Sequence, residues 1–194
     1  MRFYNVNVES DDYVPAVKQI YAELGIKSVD MIFATDLFRY LNNPRATIRK
    51  TRKLIAHDGV LMIRDCDDSS RLAHPDPKGL LGEIIACSEK APGMPNFHIG
   101  RELPNLIRDG GFKISDVQVD IYNTANLSFE EKEDFFLGSF GSRKSIAKQM
   151  LELDDTPNAI TTRLIECIDE MEDLFYNSDF WYGESNLLFI AEKQ

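Results

Sequence analysis

The chain has 194 residues, 43% of them apolar and 28% charged, with 22 Lys plus Arg against 32 Asp plus Glu. That is enough apolar material for one folded domain, and it excludes a disordered tail or a fibre. The formal charge of 22 − 32 = −10 repels phosphate backbones and weighs against nucleic acid as a general partner.

Cys66, Cys87 and Cys167 are odd in number and show no CxxC spacing, so neither a disulfide framework nor a zinc knuckle is expected. A reducing, cytoplasmic setting suits them. The opening MRFYNVNVESDD lacks the apolar core of a signal peptide, and no apolar run approaches the roughly 18 residues of a membrane span. No membrane partner is expected.

Arg2 to Val8 is rich in aromatic and β-branched residues and reads as a short strand. Val14, Val17, Ile20, Tyr21 and Leu24 then recur at helical spacing, with Gly25 as the stop. VDMIFA, Val29 to Ala34, has the form of a strand covered on both faces. Asn43-Pro44 opens a helix predicted to run to about Ala56, where His57-Asp58-Gly59 breaks it. VLMIR, Val60 to Arg64, is the next buried-type strand, and strand, helix and strand together make a βαβ unit with parallel strands.

Further helices are predicted over about Leu80 to Lys90 and Arg101 to Asp109, the second ending at Gly110-Gly111, followed by a strand over Phe112 to Val119. Ser128 with Glu131 forms a capping box for a helix carrying Phe135, Phe136 and Phe140. Thr156-Pro157 opens a long last helix to about Asn177, and NLLFIAE, Asn186 to Glu192, closes the chain as an apolar strand. The expected fold is a single α/β domain over 1–194 with a helical segment, about 128–177, inserted before the final strand.

The run VDMIFATDLFRYLNNPRATIRKTRKLIAHDGVLMIRDCDD, Val29 to Asp68, together with Gly110-Gly111-Phe112 and the closing LLFIAEK, resembles the class I S-adenosylmethionine-dependent methyltransferases. The likeness covers about Phe3 to Lys193 and corresponds to the second half of that family's fold. It implies a partial Rossmann-like sheet, mostly parallel, with a reversed last strand. It also implies methyl transfer from S-adenosylmethionine to a small-molecule acceptor. The family's glycine-rich donor loop and its acidic ribose-binding residue have no counterpart, because the eleven glycines include no GxG pair. A dimeric binding module that has lost the donor site is therefore the competing expectation.

Two central strands of such a sheet are missing, which leaves unpaired apolar edges. Either Arg2 to Val8 pairs directly with Val29 to Ala34, or a second copy or another chain covers the edge, with a homodimer expected.

Ligands of open α/β sheets sit beyond the carboxyl ends of strands. By the resemblance, Ala34, Thr35 and Leu37 line the methyl donor. Asp36 and Asp65 are the carboxylates placed to act as bases beside an acceptor, and Arg39, Tyr40 and Asp67 are placed to hold it. Each also has a plainer role: Asp36 caps a turn with Arg39 as its ion-pair partner, and Asp65 and Asp67 shape a loop. The acids Asp65, Asp67 and Asp68 near His74 lack regular ligand spacing such as DxDxDG, so no metal is assigned. The basic stretch holding Arg45, Arg49 and Lys53 on one helical face is expected to be a solvated outer face. The aromatic set Phe135, Phe136, Phe140, Phe175, Tyr176, Phe180, Trp181 and Tyr182 is expected to be core or dimer contact ahead of a lid over an apolar acceptor.

Overall fold

A computed structural model describes residues 2–153 and 158–194. Chain order runs α1 (Tyr13–Glu23), β1 (Val29–Thr35), a one-turn 3-10 helix (Phe38–Tyr40), α2 (Pro44–Thr51) and β2 (Ile55–Cys66). A second 3-10 turn (Asp68–Ser70), β3 (Leu72–His74), α3 (Leu80–Lys90), α4 (Ile99–Asp109) and β4 (Phe112–Asn123) follow. The chain closes through α5 (Phe129–Phe136), a π-helical turn (Leu137–Gly141), α6 (Ser142–Leu153), α7 (Ala159–Phe175) and β5 (Trp181–Lys193). The fold is α/β. The chain divides into two compact units: Met1–Cys66 with His98–Asp120 and Asn186–Gln194, and Asp67–Phe97 with Ile121–Ser185.

In the first unit β1 and β2 pair in parallel, and β5 lies antiparallel to β2. Register explains the core. Ile32, Leu61 and Ala191 form one cross-strand row and Ala34, Ile63 and Phe189 the next, all on the face that meets Ile48 of α2 and Leu103, Leu106 and Ile107 of α4. Each fully buried Leu, Ile or Phe here contributes roughly 1.5–3 kcal/mol relative to exposure. Helices α2 and α4 approach closely at Gly110, where an added Cβ would stand 2.2 Å from Ile48 Cγ2.

In the second unit most of the aromatic residues expected to be core are core, Phe135 and Tyr176 are partly buried, and Trp181 is exposed. Phe136, Phe140, Phe175, Phe180 and Tyr182 are buried with Leu164, Ile168 and Met171, their rings meeting tilted or edge to face. Short β3 pairs antiparallel with the start of β5. The capping box forms reciprocally: Glu131 N–H donates to Ser128 Oγ at 3.3 Å, and Ser128 N–H donates to Glu131 Oε2 at 2.8 Å.

Several expectations need correction. Residues 2–7 are not a strand; Val6 and Val8 instead pack on Tyr13, Tyr21 and Leu54, so the apolar residues of this segment are used as a packing strap. The sheet is mostly antiparallel, because β5 reverses against both β2 and β3 while β1 and β2 run together. Helix α2 stops at Thr51, and His57-Asp58-Gly59 lies inside β2 as an irregularity: Val29 pairs with Ile55, but Met31 pairs with Val60. Gly59 is needed there, since a Cβ would lie 2.6 Å from Ile55 Cγ1 and 3.0 Å from the Asp30 carbonyl. Thr156 and Pro157 lie outside the described residues; α7 is capped by Asn158, whose Oδ1 accepts the Ile160 and Thr161 amides.

Candidate functional site

Strand β1 ends at Thr35, and the Asp36 amide extends the parallel ladder by donating to the Arg64 carbonyl at 2.9 Å. Asp36 then takes φ 53°, the left-handed region that side chains other than Gly rarely adopt. This sharp turn feeds the 3-10 helix at Phe38–Tyr40.

Asp65, at the end of β2, is fully buried and holds that helix. Its Oδ2 accepts the Phe38 amide at 2.9 Å and the Arg39 amide at 3.2 Å; its Oδ1 accepts Arg39 Nε at 2.7 Å and the Cys66 amide at 2.9 Å. All four acceptor positions of the carboxylate are taken. The carboxylate thereby ties the end of β2 to the turn after β1.

Asp36 is half-exposed, with side-chain exposure of 49%. It is bridged by Arg39, by Arg64 at 3.6 Å and by the Thr35 hydroxyl at 3.1 Å; Arg64 also reaches Asp120 at 3.5 Å. Two guanidiniums thus stand against its carboxylate. Burial opposes the charge of Arg39, but Cys66, Asp65 and Asp36 more than offset it, so this guanidinium stays above its ordinary range. Tyr40 stands 47% exposed at the end of the turn.

Beside this turn lies a cavity of about 410 Å³, lined by Ile32, Phe33, Ala34, Thr35, Leu37 and Leu61 among others. The three residues expected to line a donor, Ala34, Thr35 and Leu37, are brought together here. Asp36, Arg39 and Tyr40 follow in the adjoining turn, whereas Asp67 belongs to the second unit. There Asp67 caps the Asp68–Ser70 turn, its Oδ1 accepting the Ser69 amide at 3.0 Å.

The sequence reading missed the polar part of the cavity. Tyr13, Thr47 and Thr51 contribute hydroxyls to it, with Tyr13 Oη 3.5 Å from Thr51 Oγ1. The signal was present as Thr47, Ile48 and Thr51 on one face of α2, all buried. A buried charge cluster in the second unit was missed as well. There Asp68 meets both Arg143, at 2.7 Å, and Arg71, at 2.9 Å, while Arg71 donates to Tyr182 Oη at 2.7 Å.

The expected outer face of α2 is exposed at Arg45, Arg49 and Lys53, and two of its cations, with the neighbouring Lys50, also make surface contacts. Arg45 pairs with Asp109 at 2.9 Å, Arg49 donates to the Asp109 carbonyl at 3.3 Å, and Lys50 donates to the Glu9 and Ser10 carbonyls at 2.9 Å each. Those cations anchor the ends of α4 and α1.

S-adenosylmethionine makes stringent demands on a site: acceptors for its ribose diol, partners for its ammonium and carboxylate, and close backbone approach. The cavity offers apolar walls and four hydroxyl-bearing residues, Tyr13, Thr35, Thr47 and Thr51, but no carboxylate and no glycine among its lining. Among the described residues, the lining of this cavity does not by itself fit the donor.

No protein-family model matches this sequence, and no curated protein sequence matches it. Similar solved structures include the YcgJ protein of Bacillus subtilis, 14% identical, with a TM-score of 0.48 over 95% of this chain and 80% of that one. A Bacillus halodurans protein provisionally named a methyltransferase is 9% identical, with a TM-score of 0.43 over 95% of this chain and 80% of that one. Mycolic acid cyclopropane synthase CmaA1, solved with SAH and CTAB, is 13% identical, with a TM-score of 0.43 over 97% of this chain and 68% of that one. No helix among the described residues is long and apolar enough to cross a membrane.

Proposed function

We propose that this chain is a methyltransferase-like protein whose cavity at the carboxyl end of β1 binds a small, largely apolar acceptor molecule, and that it does not hold S-adenosylmethionine on its own residues. The observation that carries this is the lining of the cavity: apolar walls from Ile32, Ala34, Leu37 and Leu61 with hydroxyls from Thr35, Thr47 and Thr51. Its volume of about 410 Å³ falls within the range of small-molecule sites. Apolar walls supply affinity, and a few hydroxyls fix orientation. The contribution of the chain is to position the bound molecule, since Asp65 is saturated and Asp36 is held between two guanidiniums.

A second reading is favoured by the location of the cavity. Phe33, Ala34 and Thr35 belong to β1, whose outer edge pairs with no described strand, so another polypeptide laid along that edge would stand next to the cavity and would supply the missing donor contacts.

The test is a pair of titrations on the purified protein: fluorescence with N-phenyl-1-naphthylamine as an apolar probe, and calorimetry with S-adenosylmethionine. The first reading expects one saturable probe site that Ala34→Phe or Val8→Trp fills and abolishes, with no heat from millimolar donor. Absence of a probe site sinks the binding reading. Micromolar, saturable donor binding replaces it with the second.

A further inference from the structure

We propose that the outer edge of β1 pairs antiparallel with β1 of a second copy of this chain, in a register centred on Ile32. Among the described residues no strand pairs with this edge, and β1 ends the order β1-β2-β5-β3. Natural sheets guard such edges with Lys, Pro, inward charges or a covering segment. Here the strand is VDMIFAT, with a single charge, Asp30.

The face of β1 turned away from the helices is also bare. Met31 is 59% and Phe33 54% exposed. Register places Phe33 beside Met62 and Met62 beside Ile190, so an apolar row crosses three strands on that side.

The composition of the edge selects a second copy, because the strand is complementary to itself under a two-fold axis. Centred on Ile32, the pairing sets Met31 opposite the partner's Phe33 and Phe33 opposite the partner's Met31, on the same bare face. Asp30 then stands opposite the partner's Ala34, with no like charge across from it. A register centred on Phe33 would set Asp30 against the partner's Asp36, and like charges directly opposite are destabilising. Exposed Lys27 lies near the other end of the strand from Asp36, so the chosen register brings each Lys27 close to the partner's Asp36. The edge is thus complementary in charge as well as in apolar surface. This inference does not rest on the small-molecule reading above, and it names an occupant for the edge that the second reading invokes.

Sedimentation equilibrium of the full chain tests it. A monomer weighs 22.2 kDa, so the expected mass is 2 × 22.2 = 44.4 kDa at tens of micromolar protein. Met31→Lys, on an exposed side chain outside the cavity lining, is expected to return the mass to that of one chain while circular dichroism stays unchanged. Under mild oxidation Ile32→Cys is expected to give a disulfide-linked dimer and Met31→Cys little of it, since Ile32 lies opposite itself and Met31 does not. A monomeric wild type, a dimer untouched by Met31→Lys, or preferential linking through Met31→Cys overturns the proposal.

Discussion

The Asp65 carboxylate accepts the backbone amide of Phe38 at 2.9 Å across 27 residues of sequence, and so ties the end of β2 to the turn that follows β1. That turn forms one rim of the cavity through Leu37 and Phe38. Removing the carboxylate strands three amides, those of Phe38, Arg39 and Cys66, and leaves Arg39 without its buried partner. Asp65→Ala is expected to cost about 3 kcal/mol, read as a lower urea midpoint at unchanged m-value. A loss below about 1 kcal/mol would show that the turn holds without this anchor.

Asp36 bends the chain at φ 53°. Gly adopts that conformation freely, whereas a β-branched residue resists it. Its ion pairs are half-exposed and contribute little. Asp36→Gly is therefore expected to leave stability within about 0.5 kcal/mol, and Asp36→Val to lose about 1–2 kcal/mol. Equal losses for the two variants would place the cost in the lost ion pairs instead of the backbone.

Much of the fold was legible because local signals were strong. The helices at Tyr13–Glu23 and Leu80–Lys90, the capping box at Ser128 and the strands around Ile32 and Ile63 all follow from period, caps and apolar runs. What failed depended on tertiary context. Residues 2–7 carry strand-forming side chains but have no partner strand, so packing on Tyr13 and Leu54 decides their conformation. His57-Asp58-Gly59 carries turn chemistry, yet the ladder with β1 absorbs it as an irregularity. Of the site, the resemblance named Ala34, Thr35 and Leu37, which line the cavity. The saturation of Asp65 was not legible, because it depends on amides 26 and 27 residues away.

Gly110 lets α4 and α2 touch. An added Cβ would overlap Ile48 Cγ2 at 2.2 Å, so Gly110→Ala is expected to destabilise by about 1–3 kcal/mol in thermal or urea unfolding. Combining it with Ile48→Ala, which removes the clashing methyl, should cost less than the sum of the two single changes. Strict additivity would contradict this packing.

Glu9 links the segment before α1 to α2. Its Oε1 accepts the Asn43 amide at 2.7 Å and its Oε2 accepts the Asn42 side chain at 2.9 Å. The Asn43 amide above all holds the Glu9 carboxyl below its ordinary value of 4.5. Because the folded value is depressed, the link is fully present above pH 4.5 and is lost as pH falls through the folded value. An NMR titration should show the Glu9 carboxyl and the Asn43 amide moving together with a midpoint below 4.5, and Glu9→Gln should abolish the amide transition. A midpoint at or above 4.5 would mean the link does not form.

The central claim is that the cavity beside β1 is where a small apolar molecule binds, and its most direct test is a heteronuclear NMR titration with N-phenyl-1-naphthylamine. The account predicts saturable shifts confined to the amides of Ala34, Thr35, Leu37, Thr47 and Thr51, which line the cavity. Shifts scattered over exposed apolar residues such as Phe3, Phe129 and Leu153, with the cavity amides unmoved, would contradict it.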